Sequence, residues 1–196
     1  MTPGRLTPLQ RRILRALAGL NPPWTLTGGG ALAGVHLGHR TTRDLDLFWR
    51  TRNNLGTSTV DAQALLRAEG LESVVLRTAP TFAELRVSDG AEVCVVDLVA
   101  EPLAPLEPPH RVALDDAAIA VDSMHEILVS KLTALLSRTE LRDLVDVQAL
   151  VGAGLRDHRR QYDEHRCARF QRAQCVDAGQ PTEADGDVQR RRTVKE

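Results

Sequence analysis

A chain of 196 residues is long enough for one domain with its own hydrophobic core, or for one domain and a tail. Its net charge of −1 makes no global electrostatic claim on nucleic acid, so any such partner has to be held by a local basic patch. The three cysteines, Cys94, Cys167 and Cys175, lack C-x-x-C spacing and are odd in number, which argues against a secreted disulfide framework. No apolar run approaches the ~18 residues that span a bilayer, and the start carries no signal-peptide apolar stretch, so a cytoplasmic chain without a membrane partner is expected.

Thr7-Pro8 followed by Leu9, Ile13, Leu14, Leu17 and Leu20 predicts an amphipathic helix with Thr7 as its cap and Pro8 at its first position. Asn21-Pro22-Pro23 ends it, and the apolar run Trp24 to Leu26 reads as a strand. That strand meets Gly28-Gly29-Gly30, placed ahead of an Ala/Leu/Val stretch with helical spacing. Backbone N–H groups unhindered by Cβ atoms at a helix start can approach a phosphate at the positive end of the helix dipole.

The alternating run Asp44-Leu45-Asp46-Leu47-Phe48 predicts a strand with both carboxylates on one face and the leucines on the other. At roughly 3.3 Å per residue the two acids lie about 7 Å apart, close enough to converge on one ion. Mg²⁺ suits them, because it usually takes one or two protein carboxylates and completes its shell with waters and substrate phosphates. Gly28 to Ala33 also fits the loose dinucleotide pattern G-x-G-x-x-G/A. That pattern expects a single acid about 20 residues on, at the end of the second strand, rather than a pair within it. The blander alternative is a plain turn followed by a solvated acidic strand face.

Ser58 or Thr59 opens a second helix closed by Gly70, and three strands follow at Leu71 to Arg77, Thr81 to Val87 and Val93 to Val99. Asp89-Gly90 is a tight hairpin signal, so the last two strands should be antiparallel. The pattern predicts an α+β fold, a small mixed sheet flanked by helices, and argues against a doubly wound parallel sheet. Asp97 is embedded among Val95, Val96, Leu98 and Val99, a costly place for an acid unless it is paired or bound to a cation. It is the third candidate carboxylate; capping the strand or pairing with an arginine is the alternative.

Glu101 to His110 is proline-rich loop, and Val112 to Asp122 should return to the sheet edge. Ser123 with Glu126 forms a capping box for a helix whose buried stripe is Ile127, Leu128, Leu132, Leu135 and Leu136. Lys131 and Arg138 share a different face of that helix, and Arg142, Asp143 and Asp146 belong to a further helical segment ending near Leu150. On such a helix a lysine is usually a solvated surface residue and an Arg/Asp mixture a set of surface ion pairs worth ~0–1 kcal/mol, although a long-armed cation could also neutralise a bound phosphate. His36, His39 and His125 have no ligand spacing and read as packing or surface residues. Residues 156–196 contain no Leu, Ile, Met or Trp and read as a polar, poorly packed tail. Three parts are expected: a core over 1–122, a helical segment over 123–155 and the tail.

Gly28-Gly29 followed by Asp44-Leu45-Asp46 resembles the signature of the nucleotidyltransferase-fold superfamily. More narrowly, Gly-Gly-x-Ala-Leu continuing to His39-Arg40-x-Thr42-x-Asp44-Leu45-Asp46-Leu47-Phe48 is similar to the AbiEii/AbiGii toxin family, which includes MenT-like toxins. Gly30 stands where that family commonly has Thr or Ser. The run from Lys131 through Ala134-Leu135, Arg138 and Arg142-Asp143-Leu144-x-Asp146 is similar to the family's second motif. The resemblance implies Mg²⁺ held by Asp44, Asp46 and Asp97. It implies an NTP held by Gly28, Gly29, Gly30, Arg40, Thr42, Lys131, Arg138 and Asp143. Asp146, with Asp143 second, would be a catalytic or substrate-positioning acid beside Lys131. It further implies transfer of NMP to an RNA acceptor, notably the 3′ end of tRNA, and a cognate antitoxin. An antibiotic-type nucleotidyltransferase and a non-catalytic nucleotide-binding or antitoxin-partner module are the alternatives. Family members continue with an apolar helical C-terminal part, so the polar tail departs from the pattern and bears on the completeness of the acceptor site.

Overall fold

The computed structural model describes residues 5–137 and 140–155. The tail expected over 156–196 lies outside them, as does Arg138. Helix α1 spans Pro8–Leu17, and its capping box is complete: Thr7 Oγ1 accepts from Gln10 N, and the Gln10 side chain accepts from Thr7 N. Two N–H groups that the first helical turn leaves unpaired are thereby satisfied. Leu9, Ile13, Leu14 and Leu17 form the buried stripe. Its charged side reaches out to Glu69 through Arg12 and Arg15.

Strand β1 (Thr25–Thr27) runs directly into helix α2 (Gly28–Ala31), which continues as a π-helical turn over Leu32–His36. The glycines thus form the first turn of the helix rather than a loop ahead of it. Then come β2 (Asp44–Arg50), α3 (Ser58–Ala68), β3 (Glu72–Ala79), β4 (Phe82–Ser88) and β5 (Val93–Glu101). Strands β6 (His110–Leu114) and β7 (Ala117–Val121) make a hairpin where one returning strand was expected. Helices α4 (Met124–Ser137) and α5 (Leu141–Gly152) close the described chain.

The seven strands form one mixed sheet in the order β3-β4-β5-β2-β1-β7-β6. The β4–β5 pair is antiparallel, as the Asp89-Gly90 turn requires, whereas β2 and β5 are parallel. Since β1 and β2 are antiparallel across the intervening helix, the dinucleotide arrangement, whose first two strands are parallel, is excluded. Strand β2 alternates strictly: Leu45, Leu47 and Trp49 are buried, while Asp44, Asp46 and Phe48 stay partly exposed. The leucine face joins Ile13, Leu14 and Leu17 of α1 and Leu66 of α3 in one hydrophobic core. Cys94 lies in that core, and burial pushes its thiol up to about 12, which leaves it inert.

At the start of helix α4, Ser123 Oγ accepts from Glu126 N at 3.1 Å, and the Glu126 carboxylate accepts from Leu106 N and lies beside Arg50. The helix departs from expectation further along: of the expected apolar stripe, Ile127 and Leu128 are buried, whereas Leu136 is exposed. The second half of the helix packs against α5, and its inward side carries Lys131, which is buried because two acids of α5 pair with it.

Candidate active site

Asp44, Asp46 and Asp97 come together because of strand register. Asp46 of β2 is the direct partner of Asp97 on parallel β5, and Asp44 lies two residues before Asp46 on the same face. All three line a cleft of about 240 Å³, together with Thr27, Gly28, Gly29, Arg40, Thr42 and Phe48 on the sheet side. From the helical side the cleft is walled by Ser130, Lys131 and Ala134 of α4 and by Arg142 of α5.

Gly28 adopts φ +60, a conformation that L side chains rarely take. A Cβ there would sit 2.1 Å from Asp46 Oδ2, so glycine is what lets the helix start pass over the carboxylate. A Cβ on Gly29 would meet Arg40 Nη2 at 2.9 Å. Gly30 has a different setting. Its nearest neighbours are Leu45 and Leu26 side chains, so it serves the packing of α2 on the sheet and does not line the cleft.

Burial first, then the charges of Asp46, Glu84 and Asp44, push the Asp97 carboxyl up to about 6. Asp97 Oδ1 is buried and has no hydrogen-bond partner. Crowded acids with an unsatisfied oxygen are the electrostatic complement of a cation. Arg142 occupies part of that role, with Nη1 3.0 Å from Asp44 Oδ2. Among the described residues no three His, Cys, Asp or Glu side chains converge as a ready-made metal cage. The arrangement fits Mg²⁺ all the same, because that ion uses one or two carboxylates and takes other ligands from phosphates and water.

Asp146 and Asp143 are fully buried and absent from the cleft lining. Asp146 instead fastens the cations that do reach it. Its Oδ1 accepts from Arg40 Nε at 2.6 Å and sits 2.8 Å from His39 Nε2. Its Oδ2 accepts from Arg40 Nη2 at 2.8 Å and faces Lys131 Nζ at 2.9 Å. Lys131 Nζ also donates to Asp143 Oδ1 at 2.7 Å. Burial alone would raise the Asp146 carboxyl, but the bonds from Arg40 and Lys131 hold it well below the usual carboxylate range. The same pairing raises the Arg40 guanidinium. Thr42 is buried, and its carbonyl accepts from Gln10 Nε2 at 3.0 Å, which pins the approach to β2.

A second buried group, Arg50 with Asp122 and Glu126, ties β2 to the start of α4. Five residues of the cleft escaped sequence reasoning as site residues: Thr27, Phe48 and Ser130, together with Ala134 and Arg142, which were legible only as parts of a motif. His39 was read as a packing or surface residue, yet it belongs to the Asp146 cluster. Its position directly before Arg40 was the available signal.

The fold and this site together define a nucleotidyltransferase-like architecture. Residues 12–193 match the family described as "Nucleotidyl transferase AbiEii toxin, Type IV TA system", and the chain belongs to that family. It is a nucleotidyltransferase family of toxin–antitoxin systems whose chemistry uses a divalent metal. Among solved structures, the nucleotidyltransferase toxin MenT4 from Mycobacterium tuberculosis is similar with a TM-score of 0.54 at 20% identity, over 70% of this chain and 54% of that one. JHP933 from Helicobacter pylori gives 0.50 at 22% identity, over 71% and 61%. An antigenic nucleotidyltransferase-like protein from Paracoccidioides brasiliensis gives 0.53 at 18% identity, over 89% and 90%. At these identities the likeness is one of fold. The chain spans less than two thirds of the length of MenT4 and of JHP933. No curated protein matches it. Among the described residues no helix is long and apolar enough to cross a membrane.

Proposed function

We propose that the chain transfers a nucleoside monophosphate from an NTP to a hydroxyl of an RNA acceptor, tRNA in the first instance, as the toxin of a toxin–antitoxin pair in the cytoplasm. The observation that carries this reading is the convergence of Asp44, Asp46 and Asp97 under the Gly28 turn, opposite Lys131 and Arg142. Residues 1–122 supply the carboxylates and the glycine turn, and residues 123–155 supply the opposing cations. Mg²⁺ held by Asp44 and Asp46, with Asp97 assisting, would supply charge stabilisation at the attacking and leaving oxygens.

The protein's own groups do the rest. Gly28 and Gly29 open the first helical turn to the phosphates, and Lys131 and Arg142 balance the charge that builds on the departing pyrophosphate. Arg40 and Thr42 border the nucleotide. The acceptor oxygen forms its bond to the α-phosphorus as the bond to the β-phosphate oxygen breaks, and Asp97 is placed to take the hydroxyl proton. Asp146 and Asp143 hold Lys131 and Arg40 in place and act as positioning residues.

Incubation with labelled NTPs, Mg²⁺ and total tRNA tests this. Label is expected in RNA, and is expected to vanish for Asp44→Ala. Nucleotide bound without transfer would point instead to a binding module, and label in small-molecule acceptors alone to the antibiotic-type activity.

A further inference from the structure

The register that sets Asp46 against Asp97 continues outward across the sheet. Asp97 faces Glu84 on β4, and Glu84 faces Arg77 on β3. One row on four strands therefore reads Asp46, Asp97, Glu84, Arg77. Like charges directly opposite one another across strands are destabilising, so Glu84 beside Asp97 is a cost to the fold. Arg77 offsets it: the guanidinium pairs with the Glu84 carboxylate and lies 5.6 Å from the Phe82 ring centroid. Yet the Arg77 side chain is 72% exposed against 14% for Glu84, and an ion pair that open is worth ~0–1 kcal/mol. Stability does not account for the arrangement.

Position does. In the reading proposed above, the triphosphate lies against Gly28, Gly29, Lys131 and Arg142, which line one part of the cleft. In-line displacement brings the entering oxygen in opposite the leaving pyrophosphate. The acceptor therefore arrives from the far side of Asp97, across β5 and β4. There the first outward-facing cation in the row is Arg77, with its planar fork held by a carboxylate on one side and an aromatic face on the other. Such a preset guanidinium suits a phosphate diester better than a free lysine does. Arg86, exposed on β4 two residues beyond Glu84, adds positive charge to the same face.

We propose that Arg77, oriented by Glu84 and Phe82, grips a backbone phosphate of the acceptor and so sets its hydroxyl at Asp97. The proposal rests on the RNA acceptor argued above. Two measurements separate its failure from that reading's failure: steady-state transfer to total tRNA, and equilibrium binding of fluorescein-labelled total tRNA without NTP. R77A is expected to raise the KM for tRNA about tenfold while leaving the KM for NTP unchanged, and to weaken tRNA binding to the same degree. The slope of log(kcat/KM) against log salt should become shallower by about 0.9, one phosphate contact's worth. R77K should recover part of both losses, and E84Q should show a smaller rise in the tRNA KM than R77A. R67A, on the outer face of α3, should match wild type throughout. An unchanged tRNA KM and salt slope in R77A overturns the proposal, as does an equal shift in the NTP KM. If wild type transfers nothing to tRNA, the RNA-acceptor reading fails, and equal binding of tRNA by wild type and R77A then overturns the role of Arg77 as well.

Discussion

The two faces of β2 are built by opposite rules. On one, Leu45, Leu47 and Trp49 are almost wholly removed from water and lie in the apolar core. Each of those leucines contributes ~1.5–3 kcal/mol of burial. On the other, Asp44, Asp46 and their neighbour Asp97 crowd together beneath a glycine turn, where burial and mutual repulsion work against them. The first face stabilises the sheet, and the second uses some of that stability to hold charges in an arrangement that solvent alone would disperse. Residues one apart in sequence thus answer to different demands.

The largest expected effect comes from crossing those demands. Asp46→Asn should cut transfer by about 10³-fold or more while leaving the thermal midpoint unchanged or higher, because it removes a repelling charge from Asp97. Leu47→Ala, its immediate neighbour, should lose ~2–5 kcal/mol of stability, yet any folded fraction should keep its turnover per molecule. Calorimetry and single-turnover assays on both variants check this. Equal loss of stability in the two would erase the distinction between the faces.

Next in size is Asp146, which shares features of both sides: it is as buried as a core leucine but serves the cleft. Asp146→Asn leaves Arg40 and Lys131 short of their counter-charge, and is expected to cost ~3 kcal/mol. Transfer should fall about a hundredfold through misplacement of Lys131. The pH dependence has a defined sign. A carboxyl depressed below its ordinary 3.8 on folding lends stability that is present in full above that value and is lost as pH falls through its folded value. The stability gap between wild type and Asp146→Asn should therefore stay constant from pH ~7 to ~5 and narrow below pH ~4 in acid-denaturation curves.

Gly28→Ala is expected to come third. It forces a left-handed conformation on a residue with a Cβ, at ~1–2 kcal/mol, and drives that Cβ into Asp46. Transfer should fall further than the lost stability explains, and a larger NTP KM should accompany the fall.

Much of this contrast was legible before any fold was known. A strand's period of two places Asp44 and Asp46 on one face and the leucines on the other, whatever surrounds them. Thr7 and Gln10 carry their capping box within four residues, so α1 could be read locally. The mixed sheet followed from a hairpin signal at Asp89-Gly90. What could not be read depends on where distant pieces dock. Arg142 meets Asp44 across 98 positions, and His39 meets Asp146 across 107, so neither partnership leaves a local trace. Lys131 shows the same limit. By helical spacing it sits off the apolar stripe and looks solvated, but the two acids of α5 make its burial tolerable. Gly30 was grouped with its neighbours as a phosphate contact because all three are glycine. Once the helix starts at Gly28, the third glycine turns toward Leu26 and Leu45.

The smallest expected effect on stability is at Arg142, and it sharpens the comparison most finely. Its ion pair with Asp44 is half open to solvent, with side-chain exposures of 46% and 37%, so Arg142→Met should shift stability by no more than ~1 kcal/mol. The guanidinium nevertheless holds one Asp44 oxygen that a divalent cation would use. Removing it should tighten Mn²⁺ binding to the nucleotide-free protein by a few-fold, since the carboxylates no longer have an internal counter-charge to displace. The same substitution should raise the KM for NTP, because Arg142 is expected to move from Asp44 to the incoming phosphates. Titration calorimetry with Mn²⁺ alone, set beside steady-state kinetics in NTP, reads both signs. Weaker Mn²⁺ binding in Arg142→Met would mean that the arginine shapes the acidic face rather than substituting for its ion.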